Sequence, residues 1–363
     1  MLNLLKKSIF DSYKKYEIRK HSLEYLFLEI TNECNFSCLH CGSDCKTSSG
    51  TPMLTTESWL EIINHVYFSF GNSVRIILTG GEPLLHPNLE LICQHLNSLG
   101  FKYGMVTNGW LLSESKIAML KQHRLHSITL SLDGKYESHN KLRNNPNAFN
   151  NVTNALKLTA AAKFPLFDVV TCVYPSNLNE LDEIAAMLVH FNIKRWRLFR
   201  IFPSGRAADN NEILLSYEQT RQMLEWIKHN KSKYGEIGLN INLSCEGWLP
   251  FAEDMQVRDM PFFCRSGINI ASILANGDIT GCSNNHESFV QGNVLTENFA
   301  FIWNKRFLPF RKRDWIKRTV CNACKHVKSC QGGSIHLWEL DKNRPNFCYV
   351  VDLDKKDKPE ENQ

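Results

Sequence analysis

Between Leu23 and Phe202 the chain alternates short apolar runs with longer stretches whose apolar residues recur at helical spacing. The runs Leu26–Ile30, Val74–Leu78, Tyr103–Val106, Ile128–Leu132, Val169–Val173 and Trp196–Ile201 read as strands buried on both faces, because they are near-continuously apolar. Between them, Thr56–Phe68, Asn88–Leu99, Ser115–Lys121, Ala148–Ala162 and Leu178–His190 carry helical patterns. Six strands alternating with helices predict an α/β fold with a parallel sheet, here an open or partial barrel. Chemistry in such sheets gathers where the strands end.

After Ile213 the alternation stops. A predicted helix from Tyr217 to about Tyr234 leads into short strands and glycine turns such as Asn276-Gly277-Asp278. The expected organisation is an N-terminal extension over 1–22, a core over 23–213, a linking helix over 214–238 and a second, smaller α+β domain over 239–350. The tail over 351–363 has almost nothing to bury and is expected to be disordered.

Composition adds one decisive feature. The length of 363 residues suits about two domains, and a net charge of +5 is too mild to argue for nucleic acid. No stretch approaches the ~18 uninterrupted apolar residues of a membrane span. The opening Met1-Leu-Asn-Leu-Leu-Lys-Lys turns to charge too early for a signal peptide, so a cytoplasmic location is expected. Thirteen cysteines, an odd number, cannot all pair as disulfides. In a reducing compartment such a count points to metal binding or redox chemistry. Cys93 and Cys172 stand alone in apolar surroundings and read as buried structural thiols. The run Lys305–Arg318 holds seven Lys or Arg against one acid and reads as a solvated helix face, with docking of an acidic peptide as the alternative.

The remaining cysteines form two groups. Cys34-Asn-Phe-Ser-Cys38-Leu-His-Cys41 places the spacing CxxxCxxC directly after the first strand. Three thiolates on a short loop suit iron–sulfur ligation and leave one corner of a [4Fe–4S] cluster uncovered. Zinc, with Cys45 as fourth ligand, is the alternative. Thr79-Gly80-Gly81-Glu82-Pro83 follows the second strand, Thr107-Asn108-Gly109 the third, and Ser131-Leu132-Asp133-Gly134 the fourth, with His139 and Arg143 beyond. The second group is Cys264-x12-Gly277-x4-Cys282, then Cys321-x2-Cys324-x5-Cys330, then Cys348.

The first set of motifs, over roughly Leu23–Phe202, resembles the radical S-adenosylmethionine (SAM) superfamily. The second resembles the SPASM domain, an extension carrying auxiliary iron–sulfur clusters. The fold implied is a partial (β/α)6 TIM-like radical SAM barrel plus a small cysteine-rich SPASM domain. The resemblance implies that Cys34, Cys38 and Cys41 hold a [4Fe–4S] cluster. Gly80, Gly81, Glu82, Asn108, Ser131 and Arg143 would then contact SAM. Glu82 would pair with the methionine ammonium, the Ser131 region would contact the ribose, and Arg143 would meet the carboxylate. His40 stands where relatives carry an aromatic residue beside the adenine. Such a site cleaves SAM reductively to a 5′-deoxyadenosyl radical that abstracts hydrogen, chemistry belonging to the cofactors.

In the full SPASM pattern a further cysteine follows at the position of Ser334. Cys321, Cys324, Cys330 and Cys348 are expected to close one auxiliary cluster. Cys245, Cys264 and Cys282 are expected to hold another, with an iron open to substrate, solvent or Ser334. A single auxiliary cluster on Cys264, Cys282, Cys321 and Cys324 is the rival. The resemblance implies a maturase that oxidises or crosslinks a peptide or protein side chain. The alternatives are a dehydrogenase or epimerase of a small metabolite, or a non-catalytic electron carrier. The implied electron donor is a low-potential protein such as flavodoxin or ferredoxin; with only about 24 residues before the first strand, the peptide is expected to be held by the barrel mouth, the SPASM surface or a separate peptide-recognition protein.

Overall fold

The structure is a computed structural model that describes residues 2–45, 53–245 and 247–350, apart from the side chains of Leu2 and Asn3; the tail expected to be disordered lies outside the described residues. All six anticipated core strands form: β1 (Tyr25–Thr31), β2 (Arg75–Gly80), β3 (Tyr103–Thr107), β4 (Ser127–Ser131), β5 (Leu166–Val173) and β6 (Arg195–Arg200). They lie side by side in chain order, all parallel. Helix α1 (Leu2–Lys20) precedes them, and α2 (Thr56–Phe70), α3 (Leu89–Ser98), α4 (Glu114–Gln122), α5 (Tyr136–Arg143), α6 (Ala148–Ala162) and α7 (Leu181–His190) cross between them. Helix α8 (Tyr217–Glu236) follows β6.

Local chemistry sets the helix ends. The Thr55 hydroxyl accepts from Ser58 N at 3.2 Å to start α2, and Gly71, at φ +71°, ends it. Ser216 and Gln219 form a reciprocal capping box at the start of α8. Along β1, Leu26, Leu28 and Ile30 are buried in one core with Trp59 and Ile63 of α2. Strand alternation turns Phe27 and Glu29 to the opposite, concave face.

The cysteine-rich segment does not form a sheet of its own. Its strand β7 (Asn240–Leu243) pairs in parallel with β6, while β8 (Ile270–Ile273) pairs in parallel with β1. Strands β9 (Asp278–Thr280) and β10 (Gly292–Asn293) continue antiparallel beyond β8, giving one ten-stranded sheet in the order β10-β9-β8-β1-β2-β3-β4-β5-β6-β7. Without these additions both β1 and β6 would present unpaired backbone edges.

Residues 1–22, expected as a mere extension, are mostly α1, which docks on the cysteine-rich segment. The Phe10 and Tyr13 rings lie 5.9 and 6.1 Å from Phe263, Glu17 accepts from Asn269 Nδ2 at 3.1 Å, and Trp303 Nε1 donates to His21 O at 3.2 Å. The basic run is not a solvated face throughout. Arg311 Nε donates to Gly267 O at 2.9 Å, and Arg313 is buried among backbone carbonyls. Cys93 is fully buried, as expected, while Cys172 is only partly so. Among the described residues no helix is long and apolar enough to cross a membrane.

Candidate active site

The first cysteine loop leaves the sheet at an irregularity. Glu29 pairs with Thr79 and Thr31 with Gly80, so one residue of β1 is skipped between them. Such a bulge re-aims the chain that follows. Glycine is required at 80 and 81 because a Cβ there would stand 2.0 Å from Thr31 O and Glu33 O respectively. Gly81 N and Glu82 N donate to those same two carbonyls at 2.8 Å. The close backbone approach these glycines permit is to the root of the cysteine loop.

Glu82 is buried and already engaged. Its Oε1 accepts from Thr107 Oγ1 at 2.7 Å and Leu84 N at 3.1 Å, and its Oε2 accepts from Asn108 N at 2.8 Å. The carboxylate therefore clamps the end of β3 to the turn after β2. Asn108 continues the chain of contacts, donating through Nδ2 to Asn35 Oδ1 at 2.9 Å, with Cys34 Sγ 4.0 Å away. Thr107 and Asn35 carry this network; no motif singled out Asn35 beforehand.

Arg143, at the end of α5, is buried and faces Asp133 through Nε at 2.6 Å and Nη2 at 2.5 Å, while Nη1 donates to Cys38 Sγ at 3.6 Å. The guanidinium is thus paired with Asp133 and set against a cysteine of the loop. Asp133 also accepts from Cys172 N at 2.8 Å. Burial raises the pKa of this carboxyl, but Arg143, the two histidines His40 and His139 and the Cys172 N–H together outweigh it and leave the group below the usual range. The His40 ring offers a nitrogen within 4.8 Å of both the Asp133 carboxylate and Cys172 Sγ. Burial pushes its pKa down to about 4, so this imidazole is neutral. Half-buried Ser131 stands at the carboxyl end of β4, on the same rim.

The three thiols share one environment. Phe36, Cys38 and Ala148 form a small buried cluster to which Cys34, Cys41 and Trp110 add. Burial pushes Cys34 up to about 11 and raises Cys38, whereas a hydrogen bond from the Cys45 thiol holds Cys41 down to about 6. Arg206, beyond β6, locks the loop: Nε donates to Cys38 O at 2.7 Å, and Nη1 reaches Asp44 Oδ1 at 2.7 Å and Cys45 O at 2.8 Å. Nothing in the local sequence marks Arg206 for this role, since the contact spans more than 160 positions. Glu29, also unmarked, faces Cys41 from the concave side with its carboxyl pushed up to about 8 by burial.

The later thiols divide in two. Burial raises Cys282 to about 12, with Cys245 and Cys264 as the thiol neighbours adding to it. Burial likewise raises Cys330 to about 12, with Cys348 and Cys321 alongside, and Cys324 adds to the rise at Cys321. Ser334 is completely buried and donates to Cys245 O at 2.8 Å, which ties the two segments together. Buried thiols that raise one another's pKa suit a cationic iron–sulfur core, which would take them as thiolates.

The radical SAM superfamily matches residues 28–188, and an iron–sulfur cluster-binding domain, SPASM, matches residues 264–325. The chain is a radical SAM enzyme with a SPASM domain. Its radical SAM domain binds a [4Fe–4S] cluster and SAM, and its SPASM domain binds auxiliary iron–sulfur clusters. The enzyme is 25% identical over 319 residues to an AdoMet-dependent heme synthase of Methanosarcina barkeri, covering 84% of this chain and 89% of that protein. It is 26% identical over 322 residues to the mycofactocin maturase MftC of Mycolicibacterium smegmatis, covering 84% and 76%. In fold it is similar to Streptococcus suis SuiB bound to S-adenosylmethionine, with a TM-score of 0.69 at 16% identity over 92% of this chain and 78% of that one. It is similar too to anSMEcpe with bound AdoMet, with a TM-score of 0.70 at 16% identity over 92% and 95%.

Proposed function

We propose that this enzyme modifies a peptide or protein side chain, with Cys34, Cys38 and Cys41 holding the SAM-binding cluster. The observation that carries the assignment is the packing of those three thiols, on one loop at the carboxyl end of β1, into a single cluster with Phe36 and Trp110. When bound, the cluster and SAM supply reductive cleavage of SAM and hydrogen abstraction from an unactivated C–H bond.

The chain's own residues hold that site in shape. Arg206 fixes the loop backbone, and Glu82 with Asn108 fixes its distance from β2 and β3. Arg143 sets a positive charge against Cys38 Sγ, which favours the thiolate. Ser131 would contact the ribose and His40 the adenine of bound SAM. Glu29 is placed to hold a proton on its carboxyl at the concave face. Cys321, Cys324, Cys330 and Cys348 would hold one auxiliary cluster, and Cys245, Cys264 and Cys282 another with an open iron. A flavodoxin or ferredoxin would supply electrons, and a separate recognition protein would present the peptide.

The peptide reading is supported by the likeness to a mycofactocin maturase over most of the chain. A second reading, a small molecule of the tetrapyrrole class, is favoured by the comparable likeness to an AdoMet-dependent heme synthase and an Fe-coproporphyrin III synthase. Deuterium transfer separates them. The reduced enzyme is incubated with SAM and with deuterated candidate peptides or tetrapyrroles, and 5′-deoxyadenosine is collected for mass spectrometry. Label arriving from peptide supports the first reading, and label arriving only from tetrapyrrole overturns it. The Cys34→Ala, Cys38→Ala, Cys41→Ala triple variant is expected to release no 5′-deoxyadenosine in either case.

A further inference from the structure

Two cations are buried where the two auxiliary thiol groups approach each other. Lys14 comes from α1, and its Nζ donates to Ser329 O at 3.0 Å, next to Cys330 in the chain. Arg313 comes from the basic run and donates to Phe310 O at 3.0 Å, Gln331 O at 3.0 Å, Gly333 O at 2.9 Å and Cys264 O at 3.2 Å. It therefore holds the backbone of Cys264, in one thiol group, against the loop after Cys330, in the other. A cleft of only about 10 Å³, room for one water at most, is lined by Lys14, Arg313, Cys264 and Cys330 among others. Both side chains are nine-tenths buried.

Arg311 also lines this cleft, so three cations meet in a small space and repel one another. A buried ammonium is costly unless an anion faces it. The cleft sets Cys264 and Cys330, one from each auxiliary group, beside Lys14 and Arg313, and Asp11, three residues earlier on α1, also faces Lys14. Those two thiols and that carboxylate are the groups able to offset the charge. An iron–sulfur cluster with thiolate ligands gains negative charge on reduction, so a nearby cation stabilises its reduced form.

We propose that Lys14 and Arg313 form a cationic bridge between the two auxiliary clusters, and that Lys14 raises their reduction potential. Helix α1 is then a working part of the SPASM domain. The inference rests on the assignment of Cys264 and Cys330 to auxiliary clusters, made above.

The test uses the full-length chain carrying Cys34→Ala, Cys38→Ala and Cys41→Ala, reconstituted with iron and sulfide, so that only auxiliary clusters remain. Each cluster is titrated with one electron from dithionite, and the reduced fraction is followed by electron paramagnetic resonance. Lys14→Gln is expected to retain the iron and to lower the reduced-to-oxidised ratio at fixed potential about tenfold, ~59 mV for one electron. Lys14→Arg, which keeps the charge, is expected to stay within about twofold of the parent. Lys14→Met, with an unbranched stem, replaces Lys14→Gln should the latter shed iron. Unchanged potentials in an iron-replete neutral variant overturn the bridge, as do equal shifts in Lys14→Arg and Lys14→Gln. If the parent holds no auxiliary iron, the ligand assignment itself fails, which iron analysis reveals before any titration.

Discussion

At the scale of single residues, the radical SAM motifs do more structural work than their positions on the rim suggest. Glu82 accepts three hydrogen bonds from its own chain, so its removal is felt without any ligand. Glu82→Gln puts an amide NH₂ against a donor in a buried site, which costs about 1–3 kcal/mol. Melting of the cluster-free chain is expected to show that loss; an unchanged melting temperature would mean the carboxylate matters only to SAM. Arg143 and Asp133 form a buried ion pair. Arg143→Ala leaves Asp133 charged and unpaired, for which about 3–5 kcal/mol is expected. Adding Asp133→Asn should recover more than about 1 kcal/mol of that, and simple additivity in the double-mutant cycle would show that the two do not act as a pair.

At the scale of elements, the sequence was informative wherever burial is two-sided. Runs such as Ile76–Leu78 and Ile128–Leu130 are apolar because helices cover one side and the packed barrel interior the other, so their strands could be placed to within about two residues. Helix α5 escaped because its run Tyr136–Arg143 turns Ser138, His139, Asn140 and Arg143 inward, and these polar side chains erase the apolar stripe. Helix α1 escaped for a related reason: its buried contacts include Lys14 and Glu17, both charged. The cysteine spacing revealed the three-thiol loop, but not the partners that hold it, since Arg143 arrives from the end of α5 and Arg206 from beyond β6. The division of the later thiols is open to counting. If both auxiliary groups load, the chain holds about twelve irons, against about eight for a single auxiliary cluster. Cys245→Ala is expected to remove one cluster's worth and Cys348→Ala another. Eight irons that survive Cys330→Ala and Cys348→Ala but not Cys264→Ala would establish the single-cluster alternative.

At the scale of the whole molecule, buried neutral histidines tie stability to acidity. Burial pushes His139 down to about 3 and His336 to about 4, while an unfolded histidine titrates near 6.5. A depressed folded value means that stability is fully present above pH ~6.5 and drains away as pH falls toward the folded pKa, because the unfolded chain takes the proton first. At pH 5 the loss is on the order of 2 kcal/mol for each histidine, at 1.36 kcal/mol per unit. Glu29, raised to about 8 by burial, works the other way and gains stability as pH falls toward its unfolded value. His40, His139 and His336 together outweigh it, so the cluster-free chain is expected to melt lower at pH 5 than at pH 7, and equal melting temperatures would contradict the neutral assignment. The same long-range architecture also sets a timetable for synthesis. Lys14 and Ser329 touch across 315 positions, and β1 meets its second neighbour, β8, only at Ile270. At about 5–20 residues per second, roughly 15–60 s of translation separate those two partners. Throughout most of that interval β1 is an open edge and α1 has nothing to lie on. The loop bearing Cys34, Cys38 and Cys41 gains its brace from Arg206 only after β6 has emerged, and β8 closes the other flank of β1 later still.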